Sequence, residues 1–179
     1  GALVLGNDEA PGVAATHTKA YTILGADGTG ANFIVRTGGT KDALQFDPEF
    51  GIPMPPPPVQ PEMKLAGHDV FAFAVRTLSK VVTDLCEKFG TTPEQGVDRV
   101  FAHQANGRII EAVARRMKLP LSKFWLNLAS TANTSAASIP ISLDQAVRAG
   151  ELKDGMKIVM VGFGAGLTYA GTYCTWPNL

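Results

Sequence analysis

An α/β domain with a mixed, largely parallel sheet flanked by helices is predicted for this chain by three observations. An apolar stripe of helical period runs from Val70 to Leu85. Strand-length apolar runs at residues 97–102, 124–128 and 156–163 alternate with helical stretches, and a glycine turn near the end joins the last run to a returning one. With 179 residues, 45% of them hydrophobic, the chain is long enough to bury a core.

Taken in order, residues 2–5 form a short apolar run closed by Gly6-Asn7-Asp8, which reads as a buried strand ending in a turn. No basic region precedes it, so it is not a signal peptide, and the chain reads as starting in mid-fold. From Tyr21 to Gly51, Gly, Thr and Asp separate two apolar runs, Tyr21-Thr22-Ile23-Leu24 and Asn32-Phe33-Ile34-Val35-Arg36, which predict one or two strands and loops. Pro53, Pro55, Pro56, Pro57, Pro58 and Pro61 fix φ and remove amide donors, so residues 52–61 are expected to be an extended polyproline-like connection. Val70, Phe71, Ala74, Val75, Leu78, Val81, Val82 and Leu85 then predict an amphipathic helix over roughly residues 68–89, stopped by Gly90. A strand at 97–102, a helix to about Lys118 before Pro120 and a strand at 124–128 follow. Residues 130–135, rich in Ser, Thr and Asn, offer N-cap chemistry for a helix running to Gly150, in which Pro140 is the flaw. Residues 156–163, the turn Gly164-Ala165-Gly166 and residues 167–176 complete a hairpin.

Sixteen Lys and Arg balance 16 Asp and Glu, which removes the overall electrostatic drive of a nucleic-acid or membrane-surface binder. No apolar run approaches the ~20 residues of a spanning helix. Cys86 and Cys174 can build neither a disulfide framework nor a four-ligand zinc site, which points to a reducing, cytoplasmic compartment. Both are expected to be small buried hydrophobes, Cys86 among Val82, Leu85 and Phe89 and Cys174 on the last strand. His17 and His68 have no metal-ligand spacing, so no metal is expected.

In an open α/β sheet, ligands collect beyond the carboxyl ends of the strands. Three polar places qualify: His103 with Asn106 after the strand at 97–102, Asn133 at a helix start, and the glycine turn after Phe163. His103 alone is as well read as a structural residue. Imidazole and carboxamide brought together can both donate to one developing oxyanion, and a glycine turn adds a backbone N–H where a side chain would collide, which suits acyl or enolate chemistry. On the helix after His103, at 100° per residue, Ile109, Ile110, Val113, Ala114 and Met117 share one face. Arg108 and Arg115 lie together opposite, with Arg116 to one side. That strip is either an ordinary solvated face or a dock for an acidic partner or a phosphate.

Three motifs in this order, His103-Gln104-Ala105-Asn106-Gly107-Arg108-Ile109-Ile110, Asn133-Thr134-Ser135-Ala136-Ala137-Ser138-Ile139-Pro140 and Gly162-Phe163-Gly164-Ala165-Gly166-Leu167-Thr168, resemble the C-terminal half of a β-ketoacyl-acyl-carrier-protein synthase III. The resemblance implies a thiolase-like fold. Residues 1–62 would be the end of the first thiolase-like half plus a Pro-rich insertion, and residues 63–179 the C-terminal half. It further implies decarboxylative Claisen condensation of an acyl-enzyme with a malonyl thioester, the nucleophilic cysteine coming from the first half, which this chain lacks. His103 and Asn133 would bind the thioester carbonyl and stabilise the enolate. Gly164 and Ala165 match the oxyanion loop, while Phe71, Asn106 and Phe163 match the substrate channel. Arg108, Arg115 and Arg116 match the surface on which acyl carrier protein docks, although the family's basic residue after Phe71 is Ala72 here. No cofactor is implied beyond the substrates, acyl-CoA and the malonyl thioester. The implied partners are the half bearing the cysteine, acyl carrier protein, and a second copy in a homodimer. Two alternatives remain: an acyltransferase forming an ester or amide, and a non-catalytic partner subunit.

Overall fold

The computed structural model describes residues 20–37, 49–51 and 62–176, so the strand expected at residues 2–5 and the proline connection at 52–61 lie outside the described residues. Its strands are β1 (Tyr21–Ala26), β2 (Ile34–Thr37), β3 (Glu62–Leu65), β4 (Arg99–Ala102), β5 (Lys157–Gly164) and β6 (Thr168–Thr175). Its α-helices are α1 (Gly67–Lys88), α2 (Pro93–Gly96), α3 (Gly107–Met117), α4 (Leu128–Thr131) and α5 (Ser138–Arg148). The main sheet has the order β1-β6-β5-β4, and β2 and β3 form a separate antiparallel ribbon. The sheet is mixed and helix-flanked, as expected, but its parallel share is smaller than a run of βαβ units would make it. Among the described strands only β4 and β5 pair in parallel, because β5 and β6 form a hairpin and β1 adds antiparallel to β6. β1 lies in the segment that the sequence reading set with a first half, and this pairing puts it in the same sheet as the rest.

Helix α1 buries a stripe at helical spacing, Ala74, Leu78, Val81, Val82, Leu85 and Cys86, against the sheet and α3. It crosses β6 so closely that a Cβ at Gly171 would stand 2.3 Å from Val81 Cγ1. Its carboxyl end closes as the sequence predicts: Gly90 takes φ +65°, and Thr91 N–H returns to the Cys86 carbonyl at 3.0 Å. In α3, Ile109, Ile110, Val113 and Ala114 are buried, whereas Arg108, Arg115 and Arg116 face water. This helix stops at Lys118, which adopts the left-handed conformation (φ 56°) two residues before Pro120.

Two expectations fail for identifiable reasons. Residues 124–128 are not a strand: Phe124 makes one isolated parallel bridge to Val100, and Leu128 already begins α4. The backbone groups that a ladder would use are taken by a side chain. Gln104 Nε2 donates to the Trp125 carbonyl at 3.0 Å, and its Oε1 accepts from Asn127 N–H at 3.3 Å. The third helix, α5, starts only at Ser138, after a 3-10 turn at Ser135–Ala137, and its N-cap, Ala137, makes no side-chain cap. Pro140 therefore falls in the first turn, where its missing N–H had no intrahelical acceptor to lose, and it causes no break.

Candidate active site

The carboxyl ends of β4 and β5 open into a cleft of about 930 Å³. His103 follows β4 and extends its ladder, its N–H donating to the Val161 carbonyl at 2.8 Å. The imidazole lies edge-on to Phe163, 5.8 Å between ring centres, and Phe73 from α1 meets the same ring at 6.3 Å. Burial lowers the His103 imidazole below its ordinary pKa of 6.5, so the ring is neutral at neutral pH. Its Nδ1 lies 2.7 Å from Ser138 Oγ in the first turn of α5.

The motifs that are far apart in sequence meet here. His103, Asn133, Asn106, Phe71, Phe163, Gly164 and Ala165 all line this cleft. Asn133 Oδ1 accepts from Ser135 N–H at 2.9 Å, an Asx turn that assigns the amide and leaves Nδ2 as its donor. Asn106 Oδ1 accepts from Arg108 N–H at 3.0 Å, so this side chain also caps α3. Ala165 N–H has no acceptor among the described residues. The glycine that the turn requires is Gly166 rather than Gly164. Gly166 has φ +136°, and a Cβ there would stand 2.7 Å from Thr168 Cγ2, whereas a Cβ at Gly164 meets nothing nearer than 4.0 Å. The far wall is apolar: Leu24, Met63 and Leu65 line it, with Tyr169, whose ring lies over Gly25 in the cross-strand pair.

Arg108, Arg115 and Arg116 are outside the cleft; Arg116 borders a groove of about 360 Å³ with Arg76, Lys80 and Asp84. Both cysteines are buried and line neither cavity, and burial pushes the Cys86 thiol up to about 11. Among the described residues no three His, Cys, Asp or Glu side chains converge as metal ligands, and no helix is long and apolar enough to cross a membrane.

Two residues escaped the sequence reading. Ser138, in the motif that begins at Asn133, stands against His103, and Gln104, fully buried, ties the end of β4 to residues 125–127 through bonds to the Ala102 and Trp125 carbonyls and the Asn127 N–H. Asn127 Nδ2 continues this link to Gln145 Oε1 on α5 at 2.7 Å. A polar residue two positions past the end of a buried strand was the available signal for Gln104.

The family model described as 3-oxoacyl-[acyl-carrier-protein] synthase III C terminal matches residues 82–176, more than half of the chain. The chain belongs to the ketoacyl synthase III family. It is 49% identical over 112 residues to the β-ketoacyl-[acyl-carrier-protein] synthase III of Fusobacterium nucleatum, covering 63% of this chain and 34% of that protein. To the same enzyme of Caldanaerobacter subterraneus it is 40% identical over 160 residues, 87% of this chain and 45% of that one. The crystal structure of the synthase III from Thermus thermophilus superposes with a TM-score of 0.72 at 37% identity, over 88% of this chain and 46% of that one. The chain thus spans about half the length or less of these family relatives. The family match includes His103, Asn133, Gly164 and Ala165, while Phe71 lies before it.

Proposed function

We propose that this chain supplies the thioester-binding and decarboxylating side of a synthase III-type condensing site. In this reading, His103 Nε2, once it carries a proton, and Asn133 Nδ2 donate to the carbonyl oxygen of a malonyl thioester. The C–C bond to the carboxylate breaks, CO₂ leaves, and the electron pair forms an enolate whose negative oxygen these donors hold. The enolate carbon attacks an acyl thioester carried on a cysteine of a companion segment, with Ala165 N–H directed at the developing oxyanion, and the cysteine thiolate departs. A pantetheine arm would lie past Phe71, Asn106 and Phe163. Arg108, Arg115 and Arg116 would receive an acidic carrier protein, and the assembled enzyme would be a homodimer needing no metal or other cofactor.

The single observation that carries this reading is the Asn133 amide. Its oxygen is committed to Ser135 N–H, which leaves a nitrogen donor in the cleft lined by His103. Two donors at one oxygen favour enolate stabilisation over simple ester or amide transfer. Asn133→Ala in the full-length protein tests it. Release of labelled CO₂ from a malonyl thioester is expected to fall by about 10²–10³-fold, the usual cost of one oxyanion donor, while acyl loading from acetyl-CoA, read by intact mass, stays near normal. Unchanged CO₂ release would refute the assignment.

A further inference from the structure

Around His103 the heavy-atom geometry decides a proton position that side-chain identity leaves open. Ser138 Oγ has three neighbours: His103 Nδ1 at 2.7 Å, the Ser135 carbonyl oxygen at 2.9 Å and Gln104 N–H at 3.4 Å. The hydroxyl has one proton and two lone pairs. Gln104 N–H can only donate and the Ser135 carbonyl can only accept. If the hydroxyl proton pointed to Nδ1, two oxygens would face each other at 2.9 Å with no proton between them. If it points to the Ser135 carbonyl, every contact becomes a hydrogen bond, with Nδ1–H donating into the remaining lone pair of Ser138. The second arrangement makes one more bond and removes a lone-pair repulsion.

We infer that Ser138 is a positioning residue that holds neutral His103 as its Nδ1–H tautomer, leaving Nε2 as a proton acceptor in the cleft. The hydrogen bond at one ring nitrogen sets the protonation of the other. Ser138 is itself held firmly: it is buried, at the first position of α5, and its own carbonyl accepts from Ser142 Oγ at 2.7 Å. The consequence for catalysis rests on the function proposed above. An unprotonated Nε2 cannot donate to a thioester oxygen, so His103 becomes a donor only after Nε2 has taken up a proton, for example from a thiol whose S–H bond breaks as this N–H bond forms. Ser138 thereby separates an accepting state of the same ring from a donating one.

The test is ¹⁵N NMR of the full-length protein labelled at histidine, at a pH well above the ordinary imidazole value of about 6.5, with the His103 signals assigned by their loss in His103→Gln. The expected wild-type result is a protonated Nδ1 and an unprotonated Nε2. Ser138→Ala is expected to shift the ring toward a mixture that includes Nε2–H, and Ser138→Thr, which keeps the hydroxyl, to restore the wild-type pattern. A wild-type Nε2 that carries the proton overturns the inference, as does a Ser138→Ala spectrum identical to wild type. The wild-type spectrum decides the tautomer even if a variant does not fold. None of these readings uses turnover, so their failure is distinguishable from a failure of the proposed condensation.

Discussion

Two glycines of one turn are expected to respond oppositely to the same added methyl group. At Gly166 an alanine must adopt φ +136°, a region that costs a non-glycine residue about 1–3 kcal/mol. Its Cβ would also stand 2.7 Å from Thr168 Cγ2 and 3.0 Å from Thr168 N. The second of these is backbone and cannot rotate away, which adds roughly 1–3 kcal/mol of overpacking. Against this, alanine lowers the entropy of the unfolded chain and returns about 0.4–1 kcal/mol. Gly166→Ala is therefore expected to destabilise by about 1–6 kcal/mol. At Gly164 the nearest atom to a new Cβ is Thr168 Oγ1 at 4.0 Å, so only the entropy term remains and Gly164→Ala is expected to lie within about 1 kcal/mol of wild type. Urea unfolding of both variants, with midpoints compared at equal slope, measures the difference. Coincident midpoints would refute the reasoning, because they would mean that neither backbone angle nor clash governs this turn.

Other expectations follow from the same contacts. Gly171→Ala places a Cβ 2.3 Å from Val81 Cγ1 and 3.1 Å from Leu85 Cδ1, both on buried side chains, so α1 must lift from β6 at a cost of about 1–3 kcal/mol by chemical denaturation. Cys86 has its thiol raised from 9.0 to about 11, so between these values the folded chain holds a proton that the unfolded chain has released. Stability is therefore full below pH 9 and falls as pH rises to 11, by roughly 2–3 kcal/mol, and Cys86→Ala is expected to remove this part of the slope in unfolding curves taken across that range. Gln104→Leu leaves the Trp125 carbonyl and Asn127 N–H without the side chain that binds them, at about 1–3 kcal/mol for each group stranded, and calorimetry is expected to show a lowered Tm.

Local sequence carried much of this fold because several elements depend on periodicity and punctuation alone. The stripe from Ala74 to Cys86, the glycine stop at Gly90 and the apolar runs of β5 and β6 are short-range signals, and each stands where they place it. Residues 124–128 misled because their composition suits a strand while Gln104, some twenty residues earlier, takes their backbone groups. Pro140 misled because its effect depends on where α5 begins, and that is decided by the turn at Ser135–Ala137. The antiparallel addition of β1 to β6 was hidden because strand order follows from packing between distant segments.

For the site, the residue types and their places after strands were legible: His103, Asn133 and the turn after Phe163 each suggest oxyanion chemistry by their functional groups. What the sequence by itself determined was the set of chemical groups and the local elements that carry them, since hydrophobic period, caps and turn residues act over a few positions. The tertiary structure alone decided that these groups share one cleft, which glycine of the turn is indispensable, and that Ser138 stands against His103 across 35 residues of chain. A hydrogen bond depends on a distance of about 3 Å and on the proton inventory of every neighbour, and neither quantity exists until distant segments have packed together.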